Sequence, residues 1–248
     1  EAFREEMGLN DPFIVRYVNY MLGLCQGDLG TSYKTRDPVG EEVWARLPNT
    51  AMLALTSTVV AILLALPLGI IAAIKQNTLF DGISMFISLL GISMPVFWMG
   101  LLLILFFSVK LGWFPVSGAD QGIKSLVLPS IALGFMHMAS IARTTRSSML
   151  ETIRQDYIRT VRAKGLPEKE VIPRHALRNA LIPTTTVIGL QIGGMLGGSV
   201  LTESVFAWPG IGRYMIQSIQ GRDIPSVMGC IIISVSSIWT ARCMVTDA

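Results

Sequence analysis

The residue types that most often carry chemistry are few in this sequence and stand far apart. The three cysteines share no short spacing, so they indicate neither a zinc site nor a disulfide framework. Two histidines cannot form a histidine metal cluster without other ligands. The stretch Gly118 to Ser125 misses the spacing of a phosphate-binding loop. The sequence therefore predicts no catalytic residue, no cofactor and no metal, and a chain that is not an enzyme.

Composition defines the elements that must position any other kind of site. Apolar residues make up 51% of the 248 residues and charged residues 15%, against roughly 25% charged in a soluble domain. This excludes a soluble globule, a disordered chain, a collagen and a disulfide scaffold. Five runs contain no Asp, Glu, Lys or Arg: 47–74, 82–109, 125–142, 179–202 and 224–241.

A membrane span needs about 20 apolar residues, so the runs predict five spanning helices and an all-α polytopic membrane bundle over 47–241. The expected helices are 50–74, 83–109, 126–149, 183–203 and about 225–240, with negligible strand content. Prolines at Pro67, Pro95 and Pro129 are expected to kink or bound helices.

Ionisable residues inside the spans are almost absent. His137 is the single histidine within the five charge-free runs, and a hydrogen-bonded contact between helices is favoured over a proton relay. Glu203 is predicted to be a hydrogen-bonded carboxylate at an external helix end. A carrier driven by an ion gradient would be expected to hold more ionisable groups near mid-membrane.

Basic residues concentrate in one segment, 143–178, which holds nine of them against four acidic residues, a net charge of +5. Nucleic-acid binding is one explanation, but the retention of basic residues on the cytoplasmic side already accounts for the excess. We therefore predict that 146–182 is cytoplasmic and that residues 1–46 are external.

The two ends of the chain carry separate expectations. Asn10-Asp11-Pro12 and Asp37-Pro38 each combine a helix N-cap with a proline, which predicts two amphipathic helices within 1–46. The sequence begins at Glu1 without a signal peptide, so an upstream span is expected to place 1–46 outside, giving six spans in the intact protein. The chain turns polar after Ser234, and 242–248 is expected to be an atypical tail that stands in place of a basic cytoplasmic stub.

The basic segment contains signals for a helix, a turn and a second helix. An amphipathic helix with Met149, Ile153, Tyr157 and Val161 on one face is expected to continue from the third span and end at Gly165. Pro167 then suits the start of a short helix that Pro173 breaks, before the chain re-enters the membrane at Pro183. This arrangement predicts a docking segment on the cytoplasmic face.

A glycine stripe marks the fourth run. Gly189, Gly193 and Gly197 recur at four-residue spacing, which leaves one helix face nearly bare of side chains. Packing within the chain is favoured, and a dimer seam or a pathway lining is the alternative.

The stretches RTVRAKG (159–165) and HALRNALIP (175–183) resemble the EAA loop in permease subunits of bacterial ABC importers, in the dipeptide, oligopeptide and nickel branch. Three further stretches resemble the same branch: GDLGTSY (27–33), ARLPNTAMLAL (45–55) and LTESVFAWPGIGR (201–213). The resemblance implies a type I ABC importer permease fold in the bacterial inner membrane. Residues that it implies for ATPase coupling are Arg159, Ala163, Lys164, Gly165, Leu166, Pro167, Glu168, His175, Arg178, Asn179 and Pro183.

By the same resemblance, the partners would be a second homologous permease subunit, two cytoplasmic ATPase subunits, an external solute-binding protein and membrane lipid, with no nucleic acid. The solute would be a peptide or a related small solute such as nickel, delivered by the binding protein. An autonomous secondary carrier or channel is the alternative, and a purely structural membrane scaffold is a weaker one.

Overall fold

The computed structural model describes residues 12–246, and helices dominate that part of the chain. Across it, one isolated bridge between Thr31 and Pro38 is the sole extended pairing, in agreement with the predicted all-α class. The helices are α1 Phe13–Cys25, α2 Val39–Ile74, α3 Leu79–Ser93, α4 Val96–Leu103, α5 Ile123–Ile153, α6 Asp156–Ala163, α7 Glu168–Glu170, α8 Leu177–Gly198, α9 Val200–Val205, α10 Ile211–Gln220 and α11 Ile224–Thr246. Two π-helical segments, Ile104–Lys110 and Val171–Ala176, continue α4 and precede α8.

Four helical stretches of the described chain are long and apolar enough to cross a membrane: Val39–Ile74, Ile123–Ile153, Glu168–Gly197 and Ile224–Cys243. They coincide with four of the five predicted spans. A fifth crossing is made if α3 and the helix from Val96 to Lys110 count as one broken span.

The helix predicted over 83–109 is divided at Pro95, where the sequence predicted a kink or a boundary: α3 ends at Ser93 and α4 begins at Val96. The axes of α3 and of the following helix differ by 103°. Pro95 explains the break, because its ring disfavours helical geometry at the residue before it, and Met94 is extended with φ −90° and ψ 124°. Pro67 and Pro129, by contrast, lie inside the continuous helices α2 and α5.

The N-terminal segment also differs from the prediction. The expected second amphipathic helix is not separate, because α2 starts at Val39 and runs straight into the first span through Pro48. The first predicted helix is α1, which begins after Pro12, while Asn10 and Asp11 lie outside the described residues. At the other end, α11 continues to Thr246, so the polar tail residues up to that point are helical, and 247–248 lie outside the described residues.

The centre of the bundle is the contact between α2 and α5. A Cβ added at Gly134 would lie 2.7 Å from the Ser57 carbonyl oxygen, and one added at Gly69 would lie 2.7 Å from that of Ala142. Glycine at these positions lets the two backbones approach closely, which is how membrane helices gain van der Waals contact without a hydrophobic driving force. As a result α5 is the most buried of the spans.

The glycine stripe on α8 packs largely against α11 of the same chain. A Cβ at Gly193 would lie 3.4 Å from the Ile238 carbonyl oxygen and 3.5 Å from the Ala241 Cβ, and one at Gly197 would clash with the Ile238 side chain. Gly189 is half-buried. The contacts at Gly193 and Gly197 are therefore the intrachain packing that the sequence favoured.

Candidate docking site and its supports

The basic segment starts with a break that the sequence did not predict. Helix α5 ends at Ile153, and Gln155 is extended, with φ −66° and ψ 148°, before α6 begins at Asp156. The expectation of one continuous helix to Gly165 is therefore wrong. The break also changes the helical register, since Ile158 is the fully buried residue of α6 and Tyr157 is exposed.

An apolar base holds α6 in place. Ile158 packs in a buried cluster with Met149 of α5, Ala73 at the end of α2, and Val171 and Ala176 before α8. Val161 and Leu166 are half-buried and pack against the same cluster. Since three spanning helices contribute to this base, a displacement of α6 would act on all of them.

The outer face of α6 is exposed. Arg159, Ala163 and Lys164 are all open to solvent, as are Pro167 and Glu168 beyond the turn. All five predicted residues are therefore accessible to a partner.

The turn depends on Gly165. Its φ is +83°, which confirms the predicted left-handed conformation, and its N–H donates to the Arg162 carbonyl oxygen at 2.9 Å. A Cβ built there would meet no atom within 4 Å. Backbone conformation, and not crowding, is therefore what favours glycine at this position.

An ion pair closes the turn. Arg162 donates from Nε to Glu168 Oε1 at 2.6 Å and from Nη2 to Oε2 at 3.3 Å. Both groups are largely exposed, so the pair stabilises the turn by less than about 1 kcal/mol.

The predicted residues near the start of α8 support α6 instead of joining its outer face. Tyr157 donates its hydroxyl to the His175 carbonyl oxygen at 3.3 Å, and Asn179 Nδ2 donates to the Tyr157 oxygen at 2.7 Å. Arg178 and Pro183 are exposed along α8. Tyr157 was predicted as an apolar contact, and its role as a hydrogen-bonded link became visible only with the register of α6.

The prediction that Pro173 ends a short helix is wrong. The chain passes through Pro173 in a π-helical segment that connects α7 directly to α8, and Glu168–Gly197 forms one continuous span. The wider π turn accommodates a residue that cannot donate a backbone hydrogen bond.

An ion pair near the same end of the bundle was not predicted. Arg146 of α5 donates from Nε to Asp81 Oδ1 at 2.8 Å and from Nη2 to Oδ2 at 2.7 Å, and the Asn77 N–H donates to the same carboxylate at 3.1 Å. Sixty-five positions separate the two partners in sequence, so only the fold brings them together. The pair joins the start of α3 to α5.

Because the Asp81 carboxylate is buried, removal of either partner leaves an uncompensated charge. We expect Asp81→Asn and Arg146→Gln each to destabilise the chain by about 2–4 kcal/mol. The double variant should lose much less than the sum of the single losses, because it removes both charges. Thermal unfolding of the chain in detergent measures this, and additive losses would show that the two groups are not coupled.

A buried carboxylate organises the opposite end of the bundle. Glu203 of α9 has no exposed surface, and its Oε1 accepts hydrogen bonds from Thr50 at 2.9 Å and Ser199 at 2.7 Å. Its Oε2 accepts from the Arg213 N–H at 3.0 Å. The predicted hydrogen-bonded carboxylate is confirmed. Burial raises the pKa of Glu203 above its ordinary value, while the hydrogen bonds from Ser199, Arg213 and Thr50 act against that rise.

A second carboxylate ties the N-terminal stretch to α11. Asp223 accepts hydrogen bonds from the Ser32 hydroxyl at 2.5 Å, the Tyr33 N–H at 2.9 Å and the Ser226 hydroxyl at 2.7 Å. Burial alone would raise the pKa of Asp223, but these hydrogen bonds outweigh it and hold the pKa below its ordinary value. Hydrogen bonds at one end of the bundle thus involve residues of the stretches 27–33, 45–55 and 201–213.

His137 makes the predicted helix contact. Its Nδ1 lies 2.7 Å from Gln191 Oε1, which joins α5 to α8 by a hydrogen bond.

The helical bundle defines a polytopic membrane protein. Helix α6 is buried against this bundle on one side and exposed on the other, so its exposed side is suited to contact a partner outside the membrane. Comparison with known proteins identifies the family to which this membrane protein belongs. The family model of the binding-protein-dependent transport system inner membrane component matches residues 65–245, and the chain belongs to that family. It is a multi-pass inner-membrane permease subunit of a binding-protein-dependent transport system.

Curated relatives agree with this assignment. The chain is 46% identical to the dipeptide transport system permease protein DppB of Alkalihalophilus pseudofirmus, over 92% of this chain and 77% of the relative. It is 43% identical to the oligopeptide transport system permease protein AppB of Bacillus subtilis, over 94% and 77%. The glutathione transport system permease protein GsiC of Escherichia coli O6:H1 is 44% identical, over 94% and 76%.

Solved structures share the fold. An amino acid ABC transporter crystallised with histidines superposes with a TM-score of 0.65 at 15% identity, covering 83% of this chain and 92% of that chain. The inward-facing MetNI methionine ABC transporter gives 0.66 at 16% identity, covering 83% and 93%. These neighbours confirm the predicted type I importer permease fold.

Proposed function

We propose that the chain forms one half of a membrane route for small peptides, paired with a second homologous permease. The support for peptides is that relatives of 41–46% identity are named for dipeptide and oligopeptide transport. In this proposal an external binding protein delivers the solute, and nickel is the other solute suggested by the sequence resemblance.

The proposal assigns energy input to two separate cytoplasmic ATPase subunits. The single observation that carries this assignment is the position of α6. One side of α6 is buried against three spanning helices, while Arg159, Ala163 and Lys164 are exposed. A partner that binds this face differently in two nucleotide states would shift the helices beneath it, because a ligand moves an equilibrium only by its difference in affinity.

Co-purification tests the docking assignment. A tagged chain expressed with its native neighbours is expected to retain two ATPase subunits, and Arg159→Glu with Lys164→Glu should release them by reversing the charge of the docking face. Lys124→Glu, a charge reversal far from that face, is the control and should retain them. Retention of the ATPases by the Arg159/Lys164 double variant would remove α6 from the interface.

Topology is testable by thiol labelling in a variant without its native cysteines. A cysteine at Glu168 should react with an impermeant reagent only after the cells are permeabilised, because the excess of basic residues places that segment inside. Cysteines at Asp28 and Asp120, which are exposed at the other end, should react in intact cells. The reverse pattern would invert the orientation and with it the docking assignment.

A further inference from the structure

Helix α1 contacts the rest of the molecule along one narrow edge. Tyr20, Gly23 and Leu24 are its half-buried residues, and none of its residues is fully buried. All other positions from Phe13 to Cys25 are exposed. Most of the circumference of α1 is therefore open to whatever surrounds the bundle.

The exposed residues of α1 divide into an apolar side and a polar side. Ile14, Val18 and Leu22 recur every four residues and share one side of the helix. Arg16 and Asn19 lie on the opposite side. A helix divided in this way suits the boundary between an apolar and an aqueous medium.

The stretch after α1 shows what this end of the chain exposes to water. Within 26–38, which the structure describes completely, the exposed residues are all polar or charged apart from Gly27 and Pro38, and Leu29 is buried. In α1, by contrast, Ile14 is 73% exposed and Leu22 is 57% exposed. The apolar side of α1 is therefore suited to surroundings other than water.

Contacts along the half-buried edge place α1 at the boundary of the membrane. Leu24 packs against the buried cluster that contains Cys230 of α11, and so does Leu47 of α2. Leu47 begins the charge-free run 47–74, and Cys230 lies inside the run 224–241. The last turn of α1 is thus at the depth where this end of the bundle enters the bilayer.

Exposed aromatic side chains accompany this boundary. Trp44, one turn of α2 before Leu47, is 59% exposed. On α1, Phe13 and Tyr17 are exposed and stack with their ring centroids 6.4 Å apart. Tryptophan and tyrosine are enriched at membrane interfaces, because their apolar rings carry a polar group that can reach water. The aromatic residues therefore fit the headgroup region of a bilayer.

We infer that α1 lies flat on the lipid bilayer at this end of the bundle. Its apolar side, with Ile14, Val18 and Leu22, enters the boundary between headgroups and acyl chains, and Arg16 and Asn19 face water. This is the orientation that amphipathic helices adopt on membranes. The inference concerns the lipid surface and does not depend on which solute the transporter carries.

The length of α1 favours a flat helix over an upright one. Its 13 residues extend about 20 Å at 1.5 Å per residue, so an upright α1 would hold Phe13 and Ile14 in water. A flat α1 also fixes the depth of the following stretch, in which Ser32 and Tyr33 bind Asp223. The helix thereby acts as a lipid anchor for that joint.

Spin labels test this orientation in the full chain, expressed with its native partners and reconstituted in vesicles of phosphatidylethanolamine and phosphatidylglycerol. With the native cysteines of the chain replaced, nitroxides are attached at Ile14→Cys and Val18→Cys, and at Arg16→Cys and Asn19→Cys as exposed controls. Oxygen concentrates among acyl chains, whereas chromium oxalate stays in water. We expect the ratio of oxygen to chromium oxalate collision rates to be at least about fivefold higher at positions 14 and 18 than at the controls.

Two results would overturn the inference. Frequent collisions with chromium oxalate at all four positions would show that α1 stands in water. Rare collisions with both reagents at positions 14 and 18 would show that protein covers the apolar side, and cross-linking from the same cysteines would then identify the second permease or the binding protein as the partner.

A charge on the apolar side tests whether lipid holds the helix. Val18→Glu is expected to lower the oxygen collision rate of a label at position 14 at least about threefold, because a carboxylate does not enter the acyl region. Asn19→Glu adds the same charge on the polar side, so it is the matched control and should leave that rate unchanged. An unchanged rate in Val18→Glu would show that protein contacts hold α1 in place, and it would overturn the lipid anchor.

Discussion

Replacement of Gly165 by valine is expected to abolish ATP-dependent uptake. Gly165 has a φ of +83°, and a left-handed conformation costs an ordinary residue about 1–2 kcal/mol, more for a β-branched one. The turn between α6 and α7 is expected to open to relieve this strain, which would misdirect the exposed face of α6. ATPase association should fall with uptake, while the amount of protein inserted in the membrane should change little.

The matched control for this experiment is Gly165→Asn. Asparagine tolerates the left-handed conformation better than other non-glycine residues, and the space around a new Cβ is open, so this variant should keep most of the uptake. Uptake is measured in cells, and the amount of membrane-inserted chain is quantified in the same cells. A loss of uptake at an unchanged amount of inserted chain indicates a defect in coupling and not in folding. Normal uptake by Gly165→Val would exclude the turn from the coupling mechanism.

Replacement of Glu203 by alanine is expected to cause the largest loss of stability. The hydroxyls of Thr50 and Ser199 and the Arg213 N–H would lose their acceptor in a fully buried site, and each unsatisfied buried group costs about 1–3 kcal/mol. The joints among α2, α9 and α10 are expected to loosen, and little folded chain should remain.

Glu203→Gln keeps the size and one carbonyl acceptor, so an intermediate loss is expected, and Asp120→Asn in an exposed loop should have no effect. Thermal unfolding of the detergent-solubilised chain gives the measurement. A melting temperature unchanged by Glu203→Ala would show that the carboxylate does not hold these helices together.

The sequence predicted the features that local chemistry determines. Charge-free runs identified four spans, and the pairing of Gly165 with Pro167 predicted the left-handed turn, because glycine adopts positive φ and proline prevents continuation. Proline effects were not predictable individually. Pro95 breaks a helix at 103° while Pro67 and Pro129 do not, since neighbouring helices decide whether a freed carbonyl finds another partner.

Features that depend on distant contacts were invisible in the sequence. The Asp81–Arg146 pair and the hydrogen bond from Thr50 to Glu203 join stretches far apart in the chain, so no local pattern contains them. The two-residue break before Asp156 changed which side chain of α6 is buried, and the helical periodicity of a continuous helix therefore selected Tyr157 in place of Ile158. The residues of the proposed docking segment could be grouped from the sequence because they lie within one short stretch.

The central claim is that this chain moves solute only when separate ATPase subunits act on it through α6 and the Gly165 turn. Reconstitution in liposomes tests it most directly. We expect the chain alone to show neither ATP hydrolysis nor solute flux, and the chain with the second permease, the ATPases, the binding protein and ATP to accumulate dipeptide. Substrate-selective uptake by the chain alone, driven by a proton or sodium gradient, would contradict this account and establish a secondary carrier.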